Sequence, residues 1–149
     1  MKKIIFSAVI LLSITATAAA STVYPANEKV MKTFNEIFKN ANAPVWNIAG
    51  DYYEASFVNV SVKTRAWFDN KGRLVQTIRY YTESELPSNV LYKVKQTYAG
   101  KEVYGVIETA NSSGINYRII LKDDKKYTHI NTDTHGETET VAEYIRGDK

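Results

Sequence analysis

Shifted by 64 positions, the chain lies on itself without a gap: Lys29-Val30 falls on Lys93-Val94, Thr33 on Thr97 and Phe34 on Tyr98. Further along, Gly50 falls on Gly114, Tyr53 on Tyr117, Asp69 on Asp133, Gly72 on Gly136 and Tyr80 on Tyr144. Matching at a fixed offset is how a repeated supersecondary unit shows itself in sequence. Turn glycines, a D-x-x-G motif and the apolar pattern all hold register together, so a tandem duplication is expected. That restricts the fold severely, because whatever the first half builds the second must build again.

The unit is a helix followed by four strands. Val30, Met31, Phe34, Ile37, Phe38 and Ala41 are spaced by one, three and four residues, which places them on one helical face. This predicts a helix over about 26–41, with Asn27 as N-cap, Glu28 at the positive end of the dipole and Pro44 beyond its end. Strands are expected at 45–48, 52–60, 62–68 and 73–82, with Asp69-Asn70-Lys71-Gly72 as a hairpin loop. Pro87 starts a second helix over about 87–99, in which Val90, Leu91, Val94 and Tyr98 form the apolar face and Gly100 the left-handed cap. Strands follow at 102–110, 115–122, 127–132 and 137–145. The repeat halves are therefore about 26–82 and 87–145.

Residues 1–20 are excluded from this folding argument. Lys2-Lys3, an apolar run from Ile4 to Ile14, and Ala18-Ala19-Ala20 make a secretory signal with an A-x-A cleavage site after Ala20. Removing those 20 residues from 149 leaves 129, with 17 bases against 16 acids and a net charge of +1. No electrostatic case for nucleic acid or an anionic membrane survives that balance. No later apolar run reaches the ~20 residues needed to span a bilayer, so no membrane insertion is expected. The chain has no cysteine, which excludes lipoprotein acylation, thiol catalysis and disulfide support. The expected product is a soluble periplasmic or secreted domain of 21–149, held by its hydrophobic core alone.

The same inventory argues against an enzyme. There is no G-x-S-x-G elbow, Walker loop or G-x-G-x-x-G, and only two histidines, His129 and His135. Their spacing in strand and turn matches no metal motif; Asp69 with Gly72 lacks the further acids of a calcium loop. No catalytic residue, metal or cofactor is expected. Paired carboxylates of glycosidase type meet only in space, which leaves a hydrolase using scattered acids and His129 as a minority alternative.

Strand alternation sorts the two sheet faces. Tyr53, Ala55 and Phe57, matched by Tyr117, Ile119 and Leu121, are expected beneath the helices, with Ala66 and Phe68 matched by Ile130 and Thr132. The opposite phase carries Tyr52, Glu54, Lys63, Arg65 and Trp67, and Arg79 and Tyr81 are expected beside them. In the second half it carries Asn116, Arg118, Tyr127, His129, Glu139 and Glu143.

The order Val30…Phe34…Phe38…Val45-Trp46, then Tyr53-Glu54-Ala55-Ser56-Phe57, resembles the PepSY-like, or β-lactamase-inhibitor-like, secreted proteins of Bacteroidetes. Trp67-Phe68-Asp69-Asn70-Lys71-Gly72 and Glu85-Leu86-Pro87…Val94…Tyr98 carry the same resemblance, which covers about Ala26 to Ile145. Thr132 departs from it where the first repeat has Phe68. The resemblance implies a duplicated α+β fold, two helices packed on one face of a curved antiparallel sheet, and no catalytic residues.

The leading functional expectation is a non-catalytic binding module contacting an envelope protein through the open sheet face. Trp67 is the expected anchor, with Arg65, Arg79, Tyr52 and Tyr81 around it. Tyr, Trp and Arg dominate protein interfaces, and the chain has 11 Tyr and 2 Trp. Strands favour aromatic residues without any partner, so composition alone decides nothing. A sensor stacking a small ligand or glycan on Trp67 or Trp46 is the alternative, although Trp46 is more simply core.

Overall fold

The computed structural model describes residues 26–147. The signal segment, its cleavage after Ala20 and the leader to Pro25 lie outside those residues. Helix α1 (Glu28–Ile37) leads into strands β1 (Val45–Ala49), β2 (Tyr52–Asn59), β3 (Val62–Phe68) and β4 (Leu74–Tyr81). A short 3₁₀ turn at Glu83–Glu85 connects to α2 (Ser88–Thr97), then β5 (Glu102–Asn111), β6 (Gly114–Lys122), β7 (Lys126–Asp133) and β8 (Thr138–Ile145). All eight strands form one open antiparallel sheet in sequence order. The fold is α+β.

Capping sets the helix ends. Asn27 Oδ1 accepts the Val30 N–H at 3.0 Å, satisfying one of the amides a helix start leaves unpaired. Its Nδ2 also donates to the Asn70 carbonyl at 3.1 Å, pinning α1 to the β3–β4 hairpin. The helix stops at Ile37 rather than near Ala41, because Phe38 leaves helical geometry as the C-cap. There its ring lies 4.7 Å from that of Phe57, so the apolar periodicity outlasts the helix itself. α2 likewise ends at Thr97, and Gly100 takes the expected positive φ.

Both helices lie on the same sheet face, over separate cores. α1 contributes Val30 and Phe34 to a core with Trp46, Ala55, Phe57, Ala66 and Phe68. α2 contributes Val90 and Val94 to a second core with Val106, Tyr117, Ile119, Leu121 and Ile130. The expected buried phase of the strands is therefore the one observed. Between the cores, the halves join through the β4–β5 ladder, Gln76 to Tyr81 against Val106 to Asn111.

The two halves share details beyond element order. Phe68 pairs with Leu74 and Thr132 with Thr138, at the same 64-residue offset. Asn89 Nδ2 donates to the Thr134 carbonyl at 2.9 Å, as Asn27 does to Asn70, so each hairpin is tied to its helix.

The loop acids predict an acid-labile fold. Hydrogen bonds from the Arg73 amide and guanidinium hold Asp69 below the usual carboxylate range, against a smaller opposing effect of desolvation. Asp133 is lowered chiefly by the Glu137 amide, and Asp123 by Lys101 and the amides of Lys125 and Lys126. Each binds its proton less readily folded than unfolded. Their stabilisation is full above the ordinary carboxylate value of about 4 and is lost as pH falls through the lower folded values. The urea midpoint should therefore decline below about pH 4, and Asp123→Asn should flatten that decline.

Candidate functional site

The face away from the helices is uncovered, and its residues follow from the strand registers. β2 presents Tyr52, Glu54 and Ser56, and β3 presents Lys63, Arg65 and Trp67. Directly across, β4 sets Tyr80 opposite Lys63, Ile78 opposite Arg65 and Gln76 opposite Trp67. β5 continues with Ile107 opposite Tyr80 and Thr109 opposite Ile78. β6 adds Arg118 opposite Ile107, and Ile120 opposite Gly105. Tyr127, His129 and Asn131 follow from β7, then Tyr144, Ala142 and Glu139 from β8.

Trp67, Arg65 and Tyr52 thus share the open face, as the alternation predicts. The Arg65 guanidinium sits 4.8 Å from the Trp67 ring centre, and its Nε donates to Glu54 Oε1 at 2.8 Å. Glu54 is buried beneath this pair, and the Arg65 hydrogen bond holds its carboxyl below the ordinary range despite desolvation. Ser56 Oγ donates to the same oxygen. Arg65 is therefore a fixed platform for Trp67, already neutralised by its own acid. Tyr52 is next to Glu54 along this face of β2, diagonally across from Trp67, and is 42% exposed.

Arg79 and Tyr81 are on the other face. Without irregularity, the Phe68–Leu74 register would bring Arg79 opposite Lys63. A bulge at Val75 instead pairs Trp67 with Gln76, and every later β4 side chain changes sides. Tyr80 and Ile78 take the open positions, while Arg79 and Tyr81 point to the helix side, where Tyr81 packs on the α2 core. A second bulge at Val141 turns Glu143 to the helix side, opposite Thr128.

On that side Arg79 and Tyr81 build a polar seam between the cores. Arg79 Nη1 lies 3.1 Å from Glu108 Oε1, and the Tyr81 hydroxyl donates to Glu108 Oε2 at 2.6 Å. Glu85 approaches Arg79 from the linker at 3.8 Å. Burial and the adjacent Glu108 push the Tyr81 phenol well above its ordinary pKa. Every polar group of the triad has a partner, and its place across β4 and β5 makes it a join between halves.

The expectation missed Tyr80, Ile78, Ile107 and Ile120, which occupy the middle of the open face. β4 shows no clean alternation of burial, so only the hairpin register could have found them. Other rings line one end of the face. Tyr104 and Tyr127 meet edge-on at 5.4 Å, with Lys122 Nζ 5.4 Å from the Tyr104 ring. His129 lies edge-on to Tyr144 at 5.1 Å, and Trp46 is buried in the α1 core. A cleft of about 570 Å³ at the sheet end is lined by Lys101, Lys126, Asp123 and Glu143. Within it Lys101 pairs with Asp123 and Lys126 with Glu143. Among the described residues, no group of three or more acidic, histidine or cysteine side chains is arranged to hold a metal.

No protein-family model matches the chain, and no curated protein matches it. Solved structures do. A BLIP-like protein from Bacteroides fragilis is similar with a TM-score of 0.62 at 20% identity, over 84% of this chain and 91% of that one. A DUF2874 family protein from Bacteroides ovatus gives 0.62 at 21%, over 79% and 89%. A candidate periplasmic protein from Bacteroides eggerthii gives 0.60 at 19%, over 82% and 90%. At such identities the likeness establishes the fold. It agrees with the inhibitor-like side of the sequence resemblance and is silent on PepSY. No helix among the described residues is long and apolar enough to cross a membrane. The chain has the fold of the BLIP-like and DUF2874 proteins of Bacteroides.

Proposed function

We propose that this chain is a non-catalytic protein-binding module of the cell envelope, related to the BLIP-like proteins of Bacteroidetes, that takes its partner on the open sheet face. One observation carries the reading: the eight-stranded face left bare by the helices has Trp67, Ile78, Tyr80 and Ile107 at its first half and centre. Aromatic side chains fixed on a rigid sheet lose little entropy on contact, and burying one contributes about 1.5–3 kcal/mol. The basic start, apolar run and Ala18-Ala19-Ala20 of the amino-terminal sequence, together with the candidate periplasmic neighbour, support the location. The equal hairpin registers support descent of the two halves from one duplicated unit.

The test compares three variants in quantitative capture from an envelope fraction, after confirming by circular dichroism that each is folded. Trp67→Ala and Tyr80→Ala should weaken binding of the captured protein about 10–100-fold. Arg79→Gln, on the helix side, should leave it unchanged. Equal capture by all three, or loss confined to Arg79→Gln, would move the interface off the open face.

A further inference from the structure

The open face has a charge order of its own. Lys63, Tyr80, Ile107 and Arg118 are direct cross-strand neighbours, forming one unbroken row over β3, β4, β5 and β6. The row therefore reads cation, ring, aliphatic, cation. Ile78 lies beside Tyr80 on β4 and Ile120 diagonally beside Ile107, widening the middle into an apolar patch. Three strand spacings of about 4.8 Å put the two cationic ends roughly 14 Å apart.

The end charges differ from other cations on this face. Arg65 is neutralised by Glu54 and Lys122 is paired with Glu102 at 3.5 Å. Lys63 is exposed, its Nζ 5.9 Å from the Tyr80 ring, and Arg118 is exposed, its Nε donating to Asn131 Oδ1 at 3.1 Å. Among the described residues neither has a carboxylate within ion-pair distance. The molecule thus holds two uncompensated positive charges at the two ends of an apolar strip.

We propose that the open face recognises an acidic protein segment lying across the strands, with carboxylates at both ends and an apolar side chain between them. The inference rests on the open-face reading and names the chemistry of the partner. An extended segment advances about 3.3 Å per residue, so roughly four steps, or five residues, cover the row. Side chains alternate along such a segment, so acids at i and i+4 with an apolar residue at i+2 all face the sheet. The apolar centre supplies contact area, while the end charges select the partner and orient it, since exposed ion pairs add little affinity. A polyanion such as nucleic acid fits less well, because it would lay charge against Tyr80 and Ile107.

A constrained random-peptide library panned against the purified protein tests this. Enrichment of acid-x-apolar-x-acid sequences is expected, with at least tenfold weaker binding of those peptides to Lys63→Glu/Arg118→Glu. The milder Lys63→Gln/Arg118→Gln pair should also weaken them, and lysine-substituted peptides should regain affinity for the reversed protein. Selected peptides without acid bias that still depend on Tyr80 and Ile107 would overturn the acidic inference while leaving the open-face reading standing. Peptides indifferent to Tyr80→Ala and Ile107→Ala would overturn both. Single-stranded DNA binding with the affinity of the acidic peptides, and lost on the same charge reversal, would overturn the commitment to a protein segment.

Discussion

Replacing Phe34 by alanine is expected to lower the free energy of unfolding by about 3–5 kcal/mol, read as a fall in the urea midpoint. Phe34 is 3% exposed and is the hub of the first core. Its ring centre lies 4.9 Å from Phe57, 5.3 Å from Trp46, 5.4 Å from Phe38 and 6.3 Å from Phe68. Removing it loses the buried area and leaves a cavity that helix and strands, pinned at the Asn27–Asn70 tie, cannot close. Tyr98, its partner at the 64-residue offset, is the informative contrast. It only partly packs on the second core, sits at the C-cap of α2, and spends its hydroxyl on Thr140 at 3.0 Å. Tyr98→Ala should therefore cost about 1–2 kcal/mol. Equal losses at both positions would contradict this packing asymmetry between halves.

That asymmetry shows where sequence reading works and where it stops. Helix faces and strand phases were legible because burial imposes its period on residue type: Ala55, Ala66, Phe68, Ile119 and Ile130 all point where alternation places them. Asn27, Gly100 and the Asp69 and Asp133 turns were legible because special backbone geometry demands special residues. The candidate site was half legible. Trp67, Arg65 and Tyr52 precede any irregularity in register, whereas Arg79 and Tyr81 follow the bulge at Val75. A bulge inserts one residue into the pairing without a residue type of its own, and Val75 looks like any strand valine. One such insertion exchanged Arg79 and Tyr81 for Ile78 and Tyr80, and with them the chemistry of the open face. Helix ends fared similarly: Phe38 and Ala41 keep apolar spacing because they pack, not because they are helical.

Gly72→Ala is expected to be the other severe substitution, at about 2–5 kcal/mol. Gly72 closes the Asp69 hairpin loop with φ near +83°, where an L side chain costs about 1–2 kcal/mol. A Cβ there would also lie 2.8 Å from the Lys29 carbonyl oxygen and 2.9 Å from its carbon, both backbone atoms of α1. Backbone cannot swing aside, so the helix must lift from the hairpin, adding an overpacking cost of about 1–3 kcal/mol. Two other glycines separate the contributions. Gly50 has φ near +62° with nothing near its would-be Cβ, so alanine there carries the conformational cost alone. Gly136 meets Lys93 Cδ at 2.8 Å, which can turn away, and Lys93 Cβ at 3.1 Å, which needs α2 to give by only a few tenths of an ångström. The expected order of destabilisation is Gly72→Ala first by more than 1 kcal/mol, then Gly136→Ala and Gly50→Ala close together. Urea unfolding of the three variants checks it. Three equal losses would mean that the close approach of α1 to its hairpin contributes nothing beyond the backbone angle.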